Sequence, residues 1–131
     1  MLPIPTNIKL HKKSKILDLE YSNEKHQLSC EYLRVYSPSA EVRGHGKGQE
    51  VLQVGKKDVC IQSIEPSGQY GVKLCFDDGH DTGIYTWAYL YELCTDYQSK
   101  WDNYLQRMHK AGVSRVNHAN VVQLMPAKPK N

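Results

Sequence analysis

The stretch Tyr70–Trp87, YGVKLCFDDGHDTGIYTW, decides how the chain is read. Tyr70, Val72, Leu74 and Phe76 alternate with Gly71, Lys73 and Cys75, the period of two that marks a half-buried strand. Asp77, Asp78 and Gly79 break that pattern, and Asp-Gly favours the left-handed backbone angles of a tight hairpin turn. Extended structure resumes over Thr82 to Tyr85. From Thr86 the period changes. Trp87, Leu90, Cys94, Tyr97, Trp101, Tyr104 and Met108 recur at spacings of 3 and 4, the stripe of a helix. Thr86 suits the N-cap, and Gly112 suits the residue just after a helix end.

Uninterrupted, a helix from Trp87 to Lys110 would run about 36 Å at about 1.5 Å per residue. That exceeds the width of a domain this small. The chain is therefore expected to break near Thr95-Asp96 into a helix pair, or to overhang toward a partner. In the second case Trp101, Tyr104 and Met108 form an interaction surface, with a homodimer through the C-terminal helix as its simplest use.

Working back toward the N-terminus, Leu17, Leu19 and Tyr21 alternate with Asp18 and Glu20, and His26 to Cys30 reads as the returning strand of a hairpin. Glu31 to Tyr36 forms a helical turn that must end at Ser37, because Pro38 follows. Ser37 to Gln49 is polar and Gly-rich, a long loop of the kind that often carries function. Val51 to Val54 is a short strand and Val59 to Ile64 a better one, closed by a turn at Glu65-Pro66-Ser67-Gly68. The fold class is α+β: small antiparallel sheets or hairpins followed by a C-terminal helix or helix pair. Residues 1–112 make one domain, and residues 113–131 a flexible tail containing Pro126 and Pro129.

With 131 residues, there is room for one core and none for a catalytic domain beside an accessory one. The formal net charge of +3 is small for a nucleic-acid binder. Nine tyrosines against one phenylalanine point to rings at boundary positions, each keeping a polar tip wet. Cys30, Cys60, Cys75 and Cys94 contain no CxxC pair and read as free thiols of a reducing cytoplasm. Met1 to Thr6 lacks the basic and apolar regions of a signal peptide, and no apolar run is long enough to span a membrane.

Two segments could carry chemistry. In the loop Arg43-Gly44-His45-Gly46-Lys47-Gly48-Gln49 the glycines allow backbone N–H groups to converge, so Arg43, Gly44, Gly46, Lys47 and Gly48 form a candidate anion or nucleotide site. The spacing matches neither a P-loop nor a dinucleotide fingerprint. In the turn after Phe76, His80 with Asp78 and Asp81, and with His45 from the loop, forms a candidate iron or zinc site. No Gly-x-Ser-x-Gly elbow or other catalytic constellation is present, so no enzyme activity is expected.

Glu31-Tyr32-Leu33-Arg34, followed by Gly79-His80-Asp81-Thr82-Gly83-Ile84-Tyr85-Thr86-Trp87 and Tyr89-Leu90, gives the chain a resemblance over Ile4 to Gly112. It resembles the bacterial family of small proteins similar to the N-terminal domain of gamma-butyrobetaine hydroxylase. The resemblance implies an α+β domain with a helix after the Tyr-x-Trp segment. In the hydroxylases that domain precedes a separate iron- and 2-oxoglutarate-dependent catalytic domain, and their activity does not carry over to a chain without it. Similar domains joined to P-loop ATPases of iron–sulfur metabolism imply an accessory role, through a protein partner, near iron or iron–sulfur chemistry. The resemblance also implies a structural zinc held by Cys-x-Cys-x-x-Cys and a later His. The matching positions here are Ser37, Ser39, Val42 and His80, so three thiolates are replaced and hydrogen bonds are expected where the metal would be.

Overall fold

The computed structural model describes residues 2–44 and 46–117. Two three-stranded antiparallel sheets and four helices follow one another along the chain. The first sheet contains β1 (Asn7–His11), β2 (Ile16–Glu20) and β3 (Lys25–Ser29) in that order. Helices α1 (Cys30–Val35) and α2 (Ala40–Arg43) come next. The second sheet contains β4 (Ile61–Ser67), β5 (Gly71–Phe76) and β6 (Ile84–Thr86), and α3 (Trp87–Thr95) and α4 (Tyr97–Ala111) complete the domain. The architecture is the α+β arrangement expected from the sequence.

Alternation places the core. On β2, Leu17 and Leu19 are fully buried, and Leu28 faces the same interior from β3, where it pairs directly with Leu17. Val72, Leu74 and Phe76 do the same on β5. These residues join Tyr32 and Leu33 of α1 and Leu90 and Leu93 of α3 in one cluster. The caps are those the sequence signals. Ser29 Oγ accepts from Tyr32 N–H at 3.0 Å, and Thr86 Oγ1 from Tyr89 N–H at 3.1 Å. Gly112 sits in the left-handed region at φ 67°, with Val113 N–H returning to Met108 O at 3.1 Å.

Several expectations are corrected. β1 has no clear signal in the sequence, because Ile8 and Leu10 are only half-buried between exposed neighbours. Residues 51–54 form no strand. The turn expected at Glu65 to Gly68 starts later, with β4 extending to Ser67 and Pro66 opposite Val72. Asp77-Asp78-Gly79 makes the expected tight turn, with Gly79 at φ 90° and its N–H on Phe76 O at 3.2 Å. The connection to β6 is wider, Phe76 N–H bonding His80 O at 2.9 Å, and β6 starts at Ile84 opposite Lys73. The segment after Gly112 is not free from its first residue. Gly55 N–H donates to Ser114 O and Lys57 N–H to Arg115 O, while Arg115 forks onto both carboxylate oxygens of Glu31 at 2.7 Å. Residues 118–131, the rest of the expected tail, lie outside the described residues.

The aromatic stripe is also corrected. The helix breaks at Asp96, which ends α3 and starts α4. Tyr104 is fully buried, Met108 is 4% exposed and Trp101 is half-buried, covered by the Arg115 guanidinium 5.3 Å from its ring. The three residues expected to form an interaction surface or a dimer seam are occupied within their own chain. Burying them here removes apolar area from water without a partner.

Nor are all the tyrosines at the boundary. Tyr32, Tyr85 and Tyr104 are wholly buried, and each hydroxyl donates to a backbone carbonyl: Tyr32 to Leu93 O at 2.7 Å, Tyr85 to Leu33 O at 2.5 Å, and Tyr104 to Gln53 O at 2.7 Å. Leu33 and Leu93 lie in the last turns of α1 and α3, where carbonyls lack helical partners. Tyr104→Phe should therefore cost about 1 kcal/mol, from the unsatisfied Gln53 carbonyl. Tyr104→Ala should cost about 3–5 kcal/mol. Denaturant unfolding measures both, and a near-neutral Tyr104→Ala would refute the core assignment.

Candidate functional site

Ser37, Ser39 and His80 come together although 43 residues separate the outer two. Ser37 follows α1, Ser39 is the residue before α2, and His80 follows β5. All three are buried. Ser37 Oγ lies 2.8 Å from His80 Nε2, Ser39 Oγ 3.3 Å from the same nitrogen, and the two hydroxyls are 3.3 Å apart. Gly83 closes the cluster: a Cβ there would stand 2.5 Å from Ser37 Oγ. Val42 is buried on the adjoining α2 turn, and its N–H bonds Ser39 O at 3.1 Å.

His80 is positioned from outside as well. Its backbone N–H donates to Asp78 Oδ1 at 3.1 Å. Asp78 Oδ2 in turn receives Arg34 Nε at 2.9 Å and Lys56 Nζ at 2.6 Å. Arg34 Nη1 donates to Gln53 Oε1 at 2.9 Å. Burial opposes ionisation of Asp78, but the Lys56 ammonium, the His80 N–H and the Arg34 guanidinium outweigh it and hold the carboxyl below its ordinary range. Burial lowers the imidazole pKa of His80, and the Arg34 charge adds to the effect. The ring is neutral in the fold.

The candidate metal set is only partly assembled. Asp78 is occupied by two cations, Asp81 is exposed, and His45 lies outside the described residues. Among the described residues no group of three or more His, Cys, Asp and Glu side chains is placed to hold a metal ion. A structural zinc requires thiolate or imidazole donors in tetrahedral array. Ser37 and Ser39 offer neutral hydroxyls already bonded to His80, and Val42 offers no donor. The residues present do not fit the zinc that the resemblance implies, and a hydrogen-bonded clasp stands at those positions.

The clasp has a superficial likeness to a Ser–His–acid triad, since Glu41 Oε1 lies 3.8 Å from His80 Nδ1. That distance is too long for a hydrogen bond, and Glu41 instead receives the Thr82 hydroxyl. Ser37 is 1% exposed, so no substrate reaches its hydroxyl.

The Gly-rich loop leads into a groove of about 680 Å³ that adjoins the clasp at Ser37. Arg43, Gly44, Gly46, Lys47, Glu50 and Val51 line it from α2 and the loop, and Tyr89, Glu92, Lys100 and Arg107 line it from α3 and α4. Val35, Tyr36 and Val42 contribute from α1 and α2. The Arg43 guanidinium lies over the Tyr89 ring at 4.9 Å and Lys100 Nζ over the Tyr36 ring at 5.3 Å. Lys100 is also paired with Glu92 at 3.0 Å. Among the described residues no carboxylate lies within ion-pair distance of Arg43, Lys47 or Arg107. Sequence reading found the loop but not Lys100 and Arg107. Their spacing of seven puts them on one helix face, a signal hidden beneath the aromatic stripe.

Residues 8–91 match the family model described as gamma-butyrobetaine hydroxylase-like, N-terminal. The chain belongs to this family. Among solved structures, an NMR solution structure 46% identical covers 100% of this chain and 98% of its own, with a TM-score of 0.79. A second NMR solution structure is 52% identical over 86% of this chain and 85% of that one, with a TM-score of 0.73. A crystal structure from Acidithiobacillus ferrooxidans ATCC 23270, a protein of unknown function in the DUF971 family, is 32% identical over 70% of this chain and 91% of that one, with a TM-score of 0.56. No curated protein matches the chain. This gamma-butyrobetaine hydroxylase-like N-terminal domain therefore keeps the family fold while its clasp consists of hydroxyls and one imidazole.

Two outcomes follow. The unfolded chain binds a proton at His80 near the ordinary pKa of 6.5, whereas the folded chain resists it. Stability from the clasp is thus full above about pH 6.5 and lost as pH falls below it. The melting-temperature gap between wild type and His80→Gln should shrink toward about pH 5; a gap that widens on acidification would contradict the neutral, buried ring. Tag-free protein should carry well under one zinc or iron per chain, and a chelator should leave its melting temperature unchanged. Elemental analysis beside thermal melts checks both.

Proposed function

We propose that this domain is a non-catalytic accessory module that works by holding a partner protein in the cytoplasm, within the iron or iron–sulfur context that its resemblance implies. One observation carries the reading. Polar groups near the clasp are paired internally, whereas Arg43, Lys47 and Arg107 face a groove with no carboxylate partner among the described residues. Unpaired cations above an apolar floor of Val35, Val42 and Val51 are the composition of a docking site rather than of solvated surface. Among the described residues no helix is long and apolar enough to cross a membrane.

Metal binding through His80, Asp78 and Asp81 has less support. It would have to displace Arg34 and Lys56 from Asp78 and the two serines from His80. An enzymatic role would need an exposed nucleophile, and Ser37 is closed off by Gly83.

A photo-crosslinking amino acid in place of Val51, which is half-exposed in the groove, tests the proposal in the native host. A discrete higher-mass adduct is expected from that position, weakened by Arg43→Glu and absent when the crosslinker replaces Lys9 on β1. No adduct from Val51 or Lys47 would refute the accessory reading.

A further inference from the structure

The groove's cations are spread out rather than focused. Arg43 and Lys47 come from α2 and the loop after it, Lys100 and Arg107 from α4. Seven residues of helix separate Lys100 from Arg107, a rise of about 10 Å. A compact anion such as phosphate needs donors converging on one point. A separation of this size instead suits an extended chain, which covers about 10 Å in three residues. Charge balance points the same way. Glu50 and Glu92 also line the groove, Glu92 already holding Lys100. A dense polyanion would meet these carboxylates, whereas separated single charges can avoid them. Arg43 lies over Tyr89, and an arginine anchored on a ring is suited to a forked pair with a carboxylate. Arg107 has one donor, Nε, engaged with Asn103 Oδ1 at 3.1 Å, leaving its terminal amines for a ligand. Between these cations, Val35, Val42 and Val51 offer an apolar seat.

We infer that the groove receives an extended acidic segment of a partner protein, in which carboxylates alternate with apolar side chains. The carboxylates pair with Arg43, Lys47 and Arg107, and the apolar side chains rest on the valine floor. This inference rests on the accessory reading above and adds the chemistry of the partner. It also accounts for the glycine loop, whose small residues let a second backbone approach Lys47 closely.

The probe is a fluorescein-labelled peptide, Glu-Leu-Glu-Leu-Glu-Leu, titrated with the full chain and followed by anisotropy. Saturable binding that weakens with salt is expected, with none for the peptide carrying Lys at the acidic positions. Lys47→Glu, an exposed loop substitution that leaves the core untouched, should weaken binding by about tenfold or more. Arg107→Ala should act in the same direction, while Lys9→Glu on β1 should change nothing; thermal melts check that each variant is folded. Binding that is absent, or indifferent to Lys47→Glu and Arg107→Ala in folded protein, overturns the inference. So does displacement of the peptide by equimolar pyrophosphate or by a single-stranded oligonucleotide, because the site would then prefer phosphate. A groove crosslink from Val51 alongside a failed acidic peptide would leave the accessory reading standing and remove only the acidic segment. Absence of the crosslink would remove the accessory reading itself.

Discussion

A buried guanidinium dictates much of this structure. Arg34 is 7% exposed, and a charge so enclosed is tolerated only beside an opposite charge with its remaining donors occupied. Asp78 supplies the charge, Lys56 shares it, and Gln53 takes another of the guanidinium donors. Arg34 lies in the last turn of the helix that follows the first sheet, and Asp78 follows the central strand of the second. The pair therefore ties together two sheets that share no backbone ladder. His80 is held next in the sequence of contacts, its N–H on the Asp78 carboxylate. Gly83 then packs against Ser37, and Tyr85 reaches the Leu33 carbonyl. Of the residues that carry the resemblance, Leu33 and Tyr85 thus meet directly across the two halves.

The clasp stands at the positions where the resemblance implies a metal site. Thiolates around zinc give several strong bonds and depend on the metal. Two hydroxyls on a neutral imidazole give weaker bonds, each of order 1 kcal/mol, and need nothing from solution. Other contacts fix the same chain segments. Tyr89 donates to the Tyr36 carbonyl beside Ser37, and Val51 N–H returns to Val42 O across the loop. Neutrality of His80 matters here, since burial and the charges of Arg34 and Lys56 disfavour a charged ring more than Glu41 and Asp78 favour it.

How much was legible follows from how local each signal is. The second and third strands, the middle strand of the second sheet and the caps at Thr86 and Gly112 depend on near neighbours in sequence, and they read correctly. The break at Asp96 was one of the two alternatives that helix length left open. The first strand was hidden because an edge strand with half-buried Ile8 and Leu10 has a faint alternation. Val51 to Val54 has the composition of a strand and no partner to pair with. Tertiary context also decided the aromatic stripe: only the placement of α1 and of residues 113–117 shows that Trp101, Tyr104 and Met108 are covered. Of the candidate site, Ser37, Ser39 and His80 were legible through the resemblance. The groove was not, because its cations come from two regions distant in sequence, residues 43–47 and α4.

A net charge of +3 says little about such a surface, because what matters is where cations stay unpaired and how firmly they are held. Lys12 and Lys13 are exposed on the β1–β2 turn with no carboxylate within ion-pair distance among the described residues, yet no ring supports them. A ligand pairing there would have to immobilise two long, free side chains, which offsets much of the Coulomb gain. In the groove, Arg43 rests on Tyr89 and Lys100 on Tyr36. Those rings are themselves tied down, Tyr89 to the Tyr36 carbonyl and Tyr36 to the Lys100 carbonyl, both at 2.6 Å. The ordering cost at these positions is thus met by the fold before a ligand arrives. Preorganisation, rather than total charge, separates the groove from the other basic surface of this domain.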